Sequence, residues 1–170
     1  MSCIINSGYS LGCRDSVGGI EFIAIASYDS TTTYVTGTNS IVDSFSPTAS
    51  FYTYQQYTEQ GSATQEGTFD NVNGTAFQTQ TITLILEDMD SATREKFLAL
   101  IQARVRVIVK TQTGRYFLFG KVNGGRASAS TSGPGQALGD LAGYNVTLEF
   151  KEPEPAIEVD ATFAQSLIVA

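Results

Sequence analysis

Residues 79–111 read TQTITLILEDMDSATREKFLALIQARVRVIVKT and hold a strand pattern, a helix pattern and a second strand pattern in direct succession. Apolar side chains recur at every second position from Thr81 to Glu87, the period that places one face of a strand against a core. The β-branched run from Val105 to Thr111 disfavours helix and suits a second strand. Between them, Asp90 or Ser91 can accept a hydrogen bond from the free N–H groups that open a helix. We therefore predict strand, helix and strand, with the other segments packed around them.

The helix predicted from Ala92 to Arg104 has one apolar face. Phe97, Leu98 and Ile101 share this face, while charged side chains can point away from it. A helix with a single apolar stripe is stable when the stripe packs on a sheet. We expect Phe97, Leu98 and Ile101 to make that packing contact, and we predict no second helix.

Composition favours a β-rich domain. The chain has 170 residues, with no tryptophan and no histidine, and this length suits one domain with a core of its own. Abundant Thr, Ser, Gly and Tyr favour many short strands. We predict a mainly β fold, a β-sandwich or half-barrel with one α-helix packed on its flank. The predicted organisation is an N-terminal arm at 1–19, a β-rich domain at 20–151 and a C-terminal tail at 152–170.

Several strands are indicated by local patterns. Residues 105–122 contain the clearest hairpin, with its turn at Gln112–Gly114, and residues 144–151 alternate apolar and polar side chains. Residues 20–26 are apolar on both faces, as in a strand that is covered on both sides. The dipeptide Asn73-Gly74 is typical of a tight turn. Because the pattern continues directly into the next strand, we interpret 69–77 as an irregular start or a bulge.

Two long polar segments lack side chains that would build a core. Residues 58–67 read TEQGSATQEG, and residues 123–143 read NGGRASASTSGPGQALGDLAG. The first segment is typical of an exposed hairpin tip or a functional loop. We predict the second to be the longest loop, and we expect it to lie at a contact between subunits or rings.

Charge is unevenly distributed along the chain. There are 17 acidic and ten basic residues, which argues against free nucleic acid as the main partner. Most basic residues lie in the central third: Arg94, Lys96, Arg104, Arg106, Lys110, Arg115, Lys121 and Arg126. This basic segment and the acidic remainder can meet between copies of the chain. The alternative interpretation is that these charges are solvated strand faces without a partner.

The sequence offers little for catalysis. It has no histidine, and its two cysteines cannot complete a four-ligand zinc site. Glu87, Asp88 and Asp90 are the densest acidic cluster and can act as acid and base or hold a cation. Capping of the predicted helix and complementation of its dipole explain them without any chemistry, and we favour this interpretation. We expect no enzyme activity, no cofactor and no metal, and no apolar segment is long enough to span a bilayer.

Three aromatic residues stand close together in a predicted strand. Tyr52, Tyr54 and Tyr57 can stack on sugars or bases, or they can serve the core or a subunit contact. A carbohydrate-binding or receptor-binding β-sandwich module that uses them is therefore an alternative function for the chain.

Two sequence patterns carry a family resemblance. The first is Ser7-Gly8-Tyr9-Ser10-Leu11-Gly12-Cys13-Arg14-Asp15, followed by Gly18-Gly19-Ile20. The second is Ala137-Leu138-Gly139-Asp140, followed by Gly143-Tyr144-Asn145-Val146-Thr147-Leu148. With the β-rich pattern and single helix, the chain resembles tail-tube-like structural proteins of tailed bacteriophages, including virion proteins of the crAss-like group.

The resemblance implies a role in the virion. Such subunits join their sheets into a homo-oligomeric ring around a lumen, six-fold or twelve-fold, as a tail tube or tail hub. The expected partners are other copies and other tail or connector proteins, with DNA only in transit, and assembly occurs in the host cytoplasm. An acidic lumen would repel phosphate. In that reducing compartment Cys3 and Cys13 are expected to be free thiols.

A set of residues is predicted to make contacts between subunits. They come from the basic segment and from the glycine-rich segment that follows it: Arg104, Arg106, Arg115, Arg126, Gly133, Leu138 and Asp140.

Overall fold

The computed structural model describes residues 8–11 and 17–169. It is mainly β with a helix on the flank, which confirms the predicted fold class. Two α-helices and a short 3-10 turn at Thr38–Ser40 accompany the strands. The elements are β1 (Ile20–Ser27), β2 (Thr33–Thr36), β3 (Val42–Ser46), β4 (Phe51–Gln55), β5 (Ser62–Asp70), β6 (Thr75–Glu87), α1 (Ser91–Gln102), β7 (Val105–Thr111), β8 (Tyr116–Phe119), β9 (Gly125–Gly133), β10 (Gly143–Glu152), β11 (Ile157–Val159), α2 (Ala161–Leu167) and β12 (Ile168–Val169).

The strands form two groups that meet at one point. The larger group runs in the order β2-β3-β11-β8-β7-β1-β4-β12. The smaller group is an antiparallel four-stranded sheet in the order β9-β10-β6-β5. A single pairing, Val105 with Gly125, joins β7 to β9 and connects the groups.

The centre of the larger group is buried on both faces. One face, which includes Ile23 and Val107, packs against β6, β10 and α1. The opposite face, which includes Ala24 and Ile108, packs against β3, β4 and α2. The prediction that β1 is covered on both sides is thus confirmed, because the strand lies in the middle of three layers.

Helix α1 begins at Ser91, one residue before the predicted start, and its N-cap is Asp90, one of the two residues that the sequence offers. The carboxylate of Asp90 accepts a hydrogen bond of 2.7 Å from the backbone N–H of Thr93. Hydrogen bonds from the side chain and backbone of Thr93 hold the pKa of Asp90 below its ordinary value. An N-cap of this kind satisfies one of the free donors at the helix start.

The buried face of α1 differs in part from the predicted stripe. Leu100 is the buried residue of the helix, and Phe97 is half-buried and stacks on Tyr144 with ring centroids 4.5 Å apart. Leu98 is also half-buried, whereas Ile101 is 36% exposed, so the prediction is wrong for Ile101. Leu100 belongs to the first cluster and Phe97 packs against it, whereas Ile101 is not among the residues of that cluster.

Both polar segments contribute to a strand, which the sequence did not predict. Residues 58–67 overlap β5, and residues 123–143 contain β9. These strands lie at the edges of the four-stranded sheet, where little of the strand faces the core, so they lack the apolar alternation that marks other strands. The interpretation of 69–77 as a bulge is also wrong, because Asn73-Gly74 closes the β5–β6 hairpin, with Gly74 at φ +67°.

The segment predicted as a tail belongs to the core as far as residue 169. Ala164 and Leu167 of α2 are buried in the second cluster, with β11 against β8 and β12 against β4. The prediction of a single helix is therefore wrong. Cys3 and Cys13 lie outside the described residues, so their thiol state stays a prediction.

Candidate functional site

The four-stranded sheet has a polar outer face rich in hydroxyl groups. On β6 the even positions from Ile82 to Leu86 face the core, so Thr79, Thr81 and Thr83 face outwards. Register aligns small side chains across the sheet in rows, for example the hydroxyl-bearing Ser62, Thr83 and Thr147 with Ala129 at the end of the row. Within the described residues, no helix or strand covers this outer face. Its hydroxyl groups can therefore contact water or another molecule.

Charges on the outer face nearly balance in its middle rows. Glu149 and Arg126 are register partners, and Lys151 lies 3.5 Å from Glu149. Glu66 is the remaining charge of these rows, and the strand ends carry the acids Asp70 and Glu87. These charges give the face no basic excess, and the face is less acidic than the lumen that the resemblance implies.

Both lateral edges of the four-stranded sheet are open within the described residues. β5 pairs only with β6 over nine residues, and β9 beyond Gly125 pairs only with β10. Unpaired edge strands present rows of free N–H and C=O groups that can pair with another chain.

The β5–β6 hairpin projects beyond the rest of the sheet. β10 pairs with β6 only as far as Gln78, so residues 68–77, here called the hairpin tip, have no further strand beside them. The exposed fractions of the Phe69, Val72 and Phe77 residues are 68%, 94% and 38%. The Asp70 carboxylate orders the turn by accepting hydrogen bonds from the following residues, Asn73 among them, which lower its pKa.

The three tyrosines lie together at the other end of β6. Tyr52, Tyr54 and Tyr57 line an open cleft of about 690 Å³, here called the tyrosine cleft. Its walls come from β4, the end of β6 and the first half of α1: Thr53, Gln55, Gln56, Gln60, Ile85, Leu86, Glu87, Thr93 and Lys96 complete the lining. Burial raises the pKa of the Tyr54 hydroxyl group.

One glutamine side chain hydrogen-bonds to the backbone near the end of β6 beside this cleft. The Gln56 amide accepts from the backbone N–H of Ile85 at 2.8 Å and donates to the Ile85 carbonyl at 3.0 Å. It takes the place of a strand partner for β6 beyond the last β5 pairing, Ser62 with Thr83. Both hydrogen-bonding groups of the Gln56 amide are therefore used within the fold.

The predicted contact residues from the basic segment are dispersed. Arg106 is 1% exposed and contacts the Tyr28, Tyr34 and Phe45 rings, so its predicted subunit contact is wrong. It is buried because the second cluster covers this face of β7, a cover that a single strand pattern does not reveal. Burial also raises the pKa of Tyr34 to about 12.

The other basic contact candidates have partners within the fold. Arg104 donates to the Asn123 carbonyl at 2.6 Å and lies over the Tyr28 ring. Arg115 lies 3.8 Å from Glu158, while Arg126 lies on the outer face at β9. The single basic surface expected from the sequence is thus divided among several places.

The glycine-rich candidates lie at and after the end of β9. Gly133 ends the strand, and Leu138 is fully exposed in the following loop. Asp140 accepts from the backbone N–H groups of Gln136 and Ala137, which lower its pKa. These positions remain candidates for subunit contact.

A buried carboxylate that the sequence did not point to holds the crossover between the two groups of strands. Glu152 is 2% exposed and accepts from the backbone N–H groups of Val122, Asn123 and Gly124 at 2.7 to 3.1 Å. Successive N–H groups of this kind form an anion-binding nest. Here the anion is the protein's own side chain, so this nest is structural.

The described part of the chain offers no group of three or more His, Cys, Asp or Glu side chains placed to bind a metal ion. None of its helices is long and apolar enough to cross a membrane. No protein-family model matches the chain, and no curated protein matches its sequence.

Proposed function

We propose that the protein is a virion structural subunit that forms a homo-oligomeric ring of a phage tail, as a tail tube or tail hub, around the DNA passage. The observation that carries the proposal is the four-stranded sheet, which combines two open edges with an uncovered polar face. Its partners are other copies and further tail or connector proteins, assembled in the host cytoplasm.

Strand direction favours a ring built from edge contacts. Each neighbouring pair in β9-β10-β6-β5 is antiparallel, so β5 and β9 run in opposite directions. If β5 of one copy pairs with β9 of the next, the sheet continues as an antiparallel sheet. The two edges differ, so the contact is head-to-tail, and head-to-tail contacts form closed rings when the rotation closes.

The outer face suits the wall of a channel for DNA. Binding of a phosphate backbone depends on basic groups that displace counterions. The rows of Thr79, Thr81 and Thr83 offer hydroxyl groups, and the neighbouring charges include no basic excess. A lining of this chemistry lets DNA pass without being held. The resemblance to tail-tube-like proteins points the same way.

Proline substitutions in β9 test the edge contact. Ser130 and Thr131 are exposed neighbours, and successive N–H groups of a strand point to opposite sides. One of the variants Ser130→Pro and Thr131→Pro therefore removes a donor from the open edge, and the other removes one from the β10 pairing. We expect the edge variant to melt near the wild-type temperature but to sediment as a monomer.

The second proline variant is the matched control, since it should lower the melting temperature through lost β10 pairing. If both variants, or neither, change the sedimentation of folded protein, β9 is not a ring edge. Wild-type protein that remains a monomer at every concentration would exclude the ring.

A further inference from the structure

The tyrosine cleft presents aromatic surface that the fold leaves uncovered. The exposed fractions of the Tyr52 and Tyr57 residues are 59% and 67%. Tyr54 packs against the first cluster, and Tyr52, two residues earlier on β4, shares its face of the strand. The aromatic wall of the cleft is therefore anchored in the core at Tyr54 and open to solvent at Tyr52 and Tyr57.

Polar side chains that can hydrogen-bond to a ligand stand beside these rings. Gln55, Glu87 and Lys96 line the cleft and are exposed. The Glu87 carboxylate accepts a long hydrogen bond, 3.5 Å, from the Gln60 amide. Because a carboxylate has about four acceptor sites, this contact leaves Glu87 able to accept from a ligand. The cleft therefore offers amide, carboxylate and ammonium groups in addition to its aromatic rings.

The charge and the size of the cleft select the kind of ligand. Among its described lining residues one carboxylate, Glu87, balances one ammonium group, Lys96, so the cleft has no net attraction for a phosphate or for a cation. Its volume of about 690 Å³ lies in the range of about 300–1,000 Å³ that is typical of small-molecule sites. Such a cleft suits an uncharged ligand with an apolar face and several polar groups.

We propose that the tyrosine cleft binds a neutral oligosaccharide. A sugar ring has C–H groups on its face and hydroxyl groups around its rim. The face packs on the Tyr52 and Tyr57 rings, and the rim hydroxyl groups bond to Gln55, Glu87 and Lys96. This inference goes beyond the proposed ring and does not depend on it, because no residue of β5 or β9 lines the cleft.

The polar lining favours a saccharide over a protein segment or a nucleobase. An apolar segment would cover the charged groups of Glu87 and Lys96 without replacing the hydrogen bonds that they make with water, which costs free energy. A nucleic acid would bring phosphates to a cleft without basic excess. The hydroxyl groups of a saccharide replace the water while its ring faces use the tyrosines.

Isothermal titration calorimetry of the protein with cellotetraose, maltotetraose and chitotetraose tests the site. We expect saturable binding of at least one of these neutral tetrasaccharides. Tyr57→Ala should weaken that binding by about tenfold, because it removes a ring on which the sugar packs. Tyr57→Phe keeps the ring and should restore most of the affinity. The Tyr57 side chain is exposed, so both variants should fold.

Phe69→Ala is the matched control. Phe69 is 68% exposed, nearly the same as Tyr57, but it lies on β5 outside the cleft. This change should leave the affinity for the tetrasaccharide unaltered, whereas Glu87→Gln, which keeps the size of the side chain and removes its charge, should weaken binding. The proposal is overturned if none of the three tetrasaccharides binds saturably, or if Tyr57→Ala binds as tightly as Phe69→Ala.

Sedimentation velocity separates a saccharide site from a contact between copies. The proposed ring uses β5 and β9, so Tyr57→Ala should sediment like the wild-type protein. A changed assembly state in Tyr57→Ala, with no saccharide bound by the wild type, would assign the cleft to a protein contact and overturn the saccharide site. Wild-type protein that binds a tetrasaccharide but remains a monomer would overturn the ring and keep the site.

Discussion

The middle layer, formed by β1 and β7, and the four-stranded sheet are built from similar strands but bury different numbers of side chains. In β1 and β7 both faces are buried, with Ile23 in one cluster and Ile108 in the other. In β6 every second residue from Gln80 to Leu86 is buried, and the threonines between them face outwards.

This difference separates folding from assembly. Almost every side chain of the middle layer contributes to the core, so substitutions there should change the free energy of unfolding. The outer face, the open edges and the hairpin tip contribute little to that core. We infer that substitutions in them change contacts between copies and leave the fold intact.

The largest loss of stability is expected in the core of the larger group of strands. Phe51 of β4 is fully buried in the second cluster, and Phe51→Ala should lower the free energy of unfolding by about 3–5 kcal/mol. Val72→Ala in the hairpin tip should change it by no more than about 0.5 kcal/mol. Urea titration followed by circular dichroism measures both. Similar losses of unfolding free energy in the two variants would show that the core of the larger group and the hairpin tip contribute equally to stability.

A smaller difference in stability is expected between two neighbouring residues of α1. Leu100 is buried and Ile101 is exposed by one third, so Leu100→Ala should cost about 2–4 kcal/mol and Ile101→Ala under about 1 kcal/mol. The same urea titration ranks them. The reverse order would restore the stripe predicted from sequence and reject the helix orientation described above.

The Glu152 carboxylate holds the segment between β8 and β9, where the chain crosses from the larger group of strands to the four-stranded sheet. Glu152→Gln keeps the size of the side chain but directs an NH₂ group at backbone N–H donors, at a cost of about 1–3 kcal/mol. Thermal melting measures the loss, and Lys151→Gln, next to it but exposed, is the control. An unchanged melting temperature in Glu152→Gln would show that the crossover does not need this carboxylate.

The smallest effect concerns the Asp90 cap and depends on pH. The folded pKa of Asp90 lies below the ordinary value of 3.8. The cap therefore stabilises the fold above that value and loses this contribution as pH falls through the folded pKa. We expect Asp90→Ala to melt below wild type at pH 7, with the difference shrinking as the solution is acidified below pH 3.8. A difference that is constant with pH would contradict charge-assisted capping.

Sequence patterns predicted the fold where a strand or helix has a core face of its own. The alternation in β10, the hairpin of β7 and β8 and the Asp90 cap are all confirmed. The edge strands β5 and β9 escaped prediction because they bury few side chains, and pairing there depends on β6 and β10. Edge pairing is a property of the neighbouring strand as much as of the edge strand itself.

The candidate site was less predictable for the same reason. The tyrosines were singled out from sequence, but the cleft also needs Thr93 and Lys96 of α1, which come near β4 only in the folded chain. Arg106 looked like a surface residue because the cover over β7 comes from distant segments, among them the second helix. Long-range packing of this kind leaves no periodic signal in a single sequence.

Cryo-electron microscopy of the purified protein tests whether the four-stranded sheet forms the wall of a ring. We expect closed rings in which β5 of one copy is hydrogen-bonded to β9 of the next, with Thr79, Thr81 and Thr83 facing the lumen. A ring whose lumen is lined by another surface, with β5 and β9 left unpaired, would rule out the proposed wall, as would protein that remains monomeric.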